Sequence, residues 1–139
     1  MNDLARGFTM GVLSGSRSML APAMLASSRV VPSAAASAIK LLAAGEMVAD
    51  KHPRMPARTD ALPMAGRMMT GAFTAASHAT GDRRLPMAIA GAVGGLCGTW
   101  LFFHLRRAII ARVGPGVAAG LVEDAIAVAA GVALARRVA

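Results

Sequence analysis

Apolar runs separated by short charged clusters set the pattern of this chain. The longest uninterrupted run is LPMAIAGAVGGLCGTWLFFHL, residues 85–105, with no formally charged side chain over 21 positions. As an α-helix it rises about 30 Å, one hydrocarbon thickness of a bilayer. Pro86 falls in its first turn, where a missing N–H has no intrahelical partner to lose. Arg106 and Arg107 close the run, so residues 85–107 are predicted to form a transmembrane helix.

Four flanking apolar segments are each interrupted. Residues 4–25 carry Arg6 and Arg17, and the Ala-rich stretch 33–50 is broken by Lys40 and runs into GEMVADK. Residues 64–80 carry Arg67, and residues 116–138 hold the adjacent pair Glu123 and Asp124. The expectation is a single all-α membrane domain, 1–139, with candidate helices 4–25, 33–50, 64–80, 85–107 and 116–138. Five spans of about 20 residues leave little chain for connections. Four spans with one short, broken or interfacial helix therefore compete with five. The connections are 27–33, 52–63, 80–84 and 112–116. The second holds three prolines and several charges and cannot continue a helix in hydrocarbon. An internal arginine and GxxxG spacing argue against reading the first segment as a cleaved signal peptide.

Composition strengthens this picture. Hydrophobic residues make up 55% of the chain and charged ones 16%, well under the roughly 25% of soluble domains. Ala and Gly supply about a third of the residues, which suits close helix packing in a bilayer better than a bulky soluble core. Disorder is excluded by the apolar content, and a disulfide scaffold by the lone Cys97.

The net charge of +8 raises nucleic acid as a partner, but the basic residues cluster at the ends of apolar segments. Four Phe and one Trp offer few stacking platforms, so nucleic acid is set aside and membrane lipid is the expected partner. With five alternating spans, Arg6, Lys51, Arg54, Arg58, Arg67, Arg106, Arg107 and Arg112 share one side. That slight excess places the N-terminus in the cytoplasm.

Two sets of residues carry information. Gly7, Gly11 and Gly15 form GxxxGxxxG on one helical face; Gly91, Gly94 and Gly98 line the fourth segment, and Gly116 and Gly120 open the last. Such spacing lets a partner backbone approach closely, within the chain or in a homo-oligomer. The second set is the candidate polar site: Arg17, Glu46, Asp50, Lys51, Arg58, Glu123 and Asp124. A charge in mid-bilayer costs roughly 2.5–3.5 kcal/mol on insertion scales, so such residues turn inward or snorkel. Glu46 and Asp50 share a helical face with Lys51 alongside. Arg17 is expected to meet a carboxylate, Glu46 first, then Asp50, then Glu123, while Glu123 and Asp124 point to different partners. Asp82 is the natural partner of Arg83 or Arg84. His52, His78 and His104 are scattered, so no metal site or cofactor is expected, and Cys97 reads as a small packing residue. No phosphate loop or nucleophile elbow is present.

These motifs resemble a bacterial family of small membrane proteins known as the domain of unknown function 4126. The matching pieces are GVLSGSRSMLAPA at 11–23, GEMVADKHPRMPARTDALP at 45–63, GRMMTGAF at 66–73, HLRRA at 104–108 and LVEDAIAV at 121–128. The first motif often reads GLRS in the family where this chain has GSRS, keeping the arginine. The resemblance implies an all-helical inner-membrane protein and brings no activity, cofactor or catalytic residue. A glycine-spaced helix followed by a carboxylate-bearing one occurs at both ends of the chain, which suggests a weak inverted repeat. The leading expectation is a protein that binds or moves a small solute or ion. A structural or accessory subunit of a membrane complex comes second. A membrane enzyme acting on lipid comes third.

Overall fold

The computed structural model describes residues 2–17, 22–23, 37–41, 44–45 and 60–138. Candidate helix 33–50 thus lies largely outside the described residues. The elements are α1 (Asp3–Ser16), α2 (Ala61–Ser77), a 3-10 turn (Gly81–Arg83), α3 (Arg84–Val113) and α4 (Val117–Val138), an all-α build.

Local chemistry sets each boundary. Asn2 caps α1, its Oδ1 accepting the Ala5 N–H at 2.8 Å, and Asp3 sits favourably in the first turn. Candidate helix 4–25 is corrected: α1 stops at Ser16, and Arg17 turns extended at φ −147° and ψ 128°. The preceding Ser14-Gly15-Ser16 are weak helix formers, so little local free energy opposes the break. Helix α2 begins three residues before the expected 64, with Pro63 in its first turn. It ends at His78, whose ring Nδ1 lies 2.9 Å from the Thr74 carbonyl oxygen. Gly114 closes α3 at φ 88° and ψ 164°, a region open to glycine alone, and Gly116 follows at φ 122°. Gly114-Pro115-Gly116 thereby reverses the chain into α4.

Three helices pack with almost no side chain between them. A Cβ placed on Gly11 would lie 2.0 Å from the Gly91 carbonyl oxygen, and one on Gly71 would lie 2.5 Å from that same oxygen. Gly11, Gly71 and Gly91 thus bring α1, α2 and α3 together at one point. Higher along α3, a Cβ on Gly98 would meet the Val12 oxygen at 2.3 Å, and one on Gly94 the Phe8 oxygen at 2.2 Å. Gly7 faces Met87, Gly11 faces Gly91 and Gly15 faces Gly98, a rising register, so α1 and α3 run parallel. Helix α2 runs antiparallel to both: Arg67 meets Gly95, while Ala75 meets Gly7 and Gly91. Met10, Leu13, Ala75, Ala79, Met87 and Leu134 form one apolar cluster; Phe102 and Ala127 anchor a second.

This register overturns two expectations. Alternating spans would set the first and fourth segments antiparallel, and an inverted repeat requires it; α1 and α3 are parallel, so no inverted repeat relates them. Arg6 moves with α1 to the end that carries Arg83 and Arg84, away from Arg106 and Arg107. Gly116 is also corrected. It is exposed, with nothing within 4 Å of an added Cβ, and serves the turn rather than helix packing. Gly120 is buried in α4.

Apolar residues cover the outside. Leu62 is 84% exposed and Phe73 74%, and Met69, Leu85, Ile89, Trp100, Leu101, Leu121 and Ile126 are exposed too. The segments Gly81–Val113 and Val117–Leu134 are long and apolar enough to cross a membrane. Helices α1 and α2 are shorter, rising about 21 and 26 Å.

Candidate functional site

Charged side chains also lie in the interior. Where α1 ends, Arg17 is 2% exposed, and its Nη2 donates to Asp124 Oδ1 of α4 at 2.5 Å. One residue earlier in α4, Glu123 is 1% exposed, and its Oε2 accepts from Arg106 Nη1 of α3 at 3.3 Å. Adjacent positions on a helix point about 100° apart, so the two carboxylates reach arginines on two different helices. Arg67, also buried, stands at the same level: its carbonyl oxygen would lie 2.8 Å from a Cβ on Gly95, while Gly15 faces Gly98 and Thr99.

The buried hydroxyls nearby turn back on their own helices. Ser16 Oγ donates to the Leu13 oxygen at 2.7 Å, Thr99 Oγ1 to the Gly95 oxygen at 2.8 Å, and Thr74 Oγ1 to the Thr70 oxygen at 2.7 Å. Ser14 differs. It is fully buried one turn before Arg17, and its Oγ has no hydrogen-bond partner among the described residues.

Of the expected site residues, Arg17, Glu123 and Asp124 come together in this layer. Glu46, Asp50, Lys51 and Arg58 lie outside the described residues. Within the described residues, the carboxylate on Arg17 is Asp124 rather than Glu123, and Glu123 serves Arg106. Arg106 and Arg67 were not singled out by the sequence. The signal for Arg106 is its near-equal distance from the 114–116 turn to that of Glu123, which places both at one height in a hairpin. The signal for Arg67 is its helical face, shared with Gly71, Thr74 and Ala75, all buried.

The opposite end is different. Arg83 pairs with Asp3 rather than with Asp82, joining the starts of α1 and α3 through an exposed ion pair. Beside it, an open apolar cleft of about 690 Å³ lies between Leu4, Phe8, Leu85 and Ile89. Cys97 is exposed on the outer face of α3, which corrects its expected packing role. Among the described residues, no three His, Cys, Asp or Glu side chains converge as a metal ion would need.

Chemically, the layer at the end of α1 offers guanidinium donors and carboxylate acceptors in an apolar surround, where each interaction is strong and each unpaired charge costly. Comparison with family models, curated proteins and solved structures finds no match. The chain is thus a small all-helical protein with a membrane-compatible apolar exterior and a paired charged interior.

Proposed function

We propose that this chain is a multi-pass protein of the bacterial inner membrane that binds or moves a small solute or ion at the charged layer where α1 ends. The observation that carries this reading is the termination of α1 at Arg17, a buried cation held by Asp124. Helices that break beside polar groups are the usual means of holding a solute within a bilayer. The Ser14 hydroxyl, one turn away and without a hydrogen-bond partner among the described residues, adds a polar group for a small ligand or water.

A bilayer frame supports the same reading. From Arg84 to His104, α3 rises about 30 Å, one hydrocarbon thickness. Trp100, Phe103 and His104 then stand at the boundary where aromatic residues collect. Helices α1 to α4 are crossing segments in this reading, with α1 and α2 shortened. The charged layer lies just inside that boundary, within reach of solutes from one side. A homo-oligomer belongs to the proposal, since a lone bundle of 14.1 kDa encloses little width for a sealed path. The motif series from GSRS to EDA supports placement in the domain of unknown function 4126 family.

One observation favours a second reading. Among the described residues, Asp124 meets Arg17 and Glu123 meets Arg106, as structural bridges in an accessory subunit would. Flux through proteoliposomes separates the two, using potassium, protons, chloride and inorganic phosphate as probes. The solute reading expects saturable flux of at least one probe above protein-free vesicles, lost in Asp124→Asn while helicity is kept. Flux equal to protein-free vesicles for every probe, with the fold intact, overturns it in favour of the accessory role.

A further inference from the structure

The outer face of α3 near its C-terminus carries groups that the charged layer does not use. Trp100, Phe103, His104 and Arg107 fall at i, i+3, i+4 and i+7, on one side of the helix. The Trp100 and His104 rings stack at 26° with centroids 6.1 Å apart, and Phe103 meets His104 edge-on at 5.4 Å. The Arg107 guanidinium lies 5.9 Å from the Phe103 ring centre, a cation–π contact. Helix α3 contains no acidic residue, and Arg107 and Arg112 make no ion pair among the described residues. Arg106, one position before, is turned to Glu123. Arg107 is exposed, as are Trp100 and His104.

We propose that this face binds the headgroup of an anionic phospholipid, with Arg107 and His104 on the phosphate, the Trp100 indole N–H at the ester level and an acyl chain along Val93 and Ile89. The order of chemistry along the face favours lipid over a protein segment. Cationic groups stand outermost, amphipathic rings follow, and exposed aliphatic side chains, with Cys97 among them, run below for several turns. A phospholipid has that same order of phosphate, ester and hydrocarbon. Charge complementarity selects an anionic headgroup over a zwitterionic one, since no carboxylate on α3 competes for Arg107. The proposal rests on the membrane reading above.

Trp100 is the chain's single tryptophan, so its fluorescence reports this site without labelling. The whole protein is reconstituted in phosphatidylcholine bilayers containing dibrominated phosphatidylglycerol or dibrominated phosphatidylcholine, whose bromines quench tryptophan on contact. The expected result is an apparent affinity for the brominated phosphatidylglycerol roughly fivefold above that for phosphatidylcholine, the ratio that about 1 kcal/mol per arginine at an anionic surface converts to. Arg107→Ala brings the ratio close to one, while Arg137→Ala, a surface arginine on α4, leaves it unchanged. Equal quenching by the two lipids, or equal loss in both variants, overturns the site. Loss of the preference on adding excess inorganic phosphate also overturns it, by making free phosphate the ligand. Absence of quenching by either lipid is a separate outcome: it places Trp100 outside the bilayer and overturns the membrane reading itself.

Discussion

Arg17 and Asp124 stand 107 positions apart in the chain and are joined by a 2.5 Å contact between Nη2 and Oδ1. The guanidinium is nearly inaccessible and the carboxylate largely so. Together they tie the end of α1 to the first half of α4. Such a pair gains little net stability over an apolar contact, because both ions lose their hydration. Removing either ion takes a partner from a buried charge, so the pair is costly to disturb and specifies which helix lies beside which.

A double-mutant cycle tests this relationship. Asp124→Ala is expected to destabilise the fold by about 3–5 kcal/mol, the scale of removing one partner of a buried ion pair. In Arg17→Ala, Asp124→Ala together, the second change costs less than it does alone, with a coupling of about 1–3 kcal/mol. Denaturant titration of helicity in detergent measures each variant. Losses that add within about 0.5 kcal/mol would falsify direct pairing.

Two glycines of α2 should respond oppositely to the same change. A Cβ on Gly71 would press to 2.5 Å from the Gly91 oxygen, whereas one on Gly66 meets nothing within 4 Å. Gly71→Ala therefore forces α2 from α3 and lowers stability, while Gly66→Ala gains up to about 1 kcal/mol in helix propensity. Thermal melts of the two variants should shift in opposite directions. Shifts of the same sign would mean that the close approach does not govern stability.

Cys97 is the chain's single cysteine and sits on the exposed apolar face of α3, about two turns from His104. In native membranes it should resist a charged maleimide, since hydrocarbon excludes the charged reagent. It should react once the protein is denatured in detergent. The protein should also stay with the membrane pellet after alkaline washing. Rapid labelling in intact membranes, or release by alkali, would place α3 in water.

The α3–α4 turn depends on one backbone conformation. Gly114→Ala must adopt φ 88° and ψ 164°, at a cost of about 1–3 kcal/mol. Gly66, within α2, has no positive φ, so Gly66→Ala carries no such cost. Comparing their unfolding midpoints checks the order, and an equal or reversed effect would show that the turn relaxes freely.

Much of the local build was legible along the chain. Residues 85–107 read as a helix because apolar length is a local property, and the 80–84 and 112–116 breaks follow from glycine, proline and charge. The end of α1 at Ser16 was hidden, because apolar character continues past Arg17 and only the weak helix formers before it mark the break. Arg67 and Arg106 looked like ordinary helix-end cations until the neighbouring helices stood beside them.

Sequence by itself determined the all-helical build and the apolar character of segments 85–107 and 116–138, since backbone hydrogen bonding and hydrocarbon content are settled residue by residue. Only the tertiary structure decided that α1 lies parallel to α3, that Gly11, Gly71 and Gly91 meet, and that Arg17 takes Asp124 while Glu123 takes Arg106. The physical reason lies in the packing residue itself. A glycine stripe permits close approach but has no side chain to specify which backbone arrives or in which direction. An arginine's partner follows from that choice, because a side chain can pair only with the carboxylate that helix packing brings within reach.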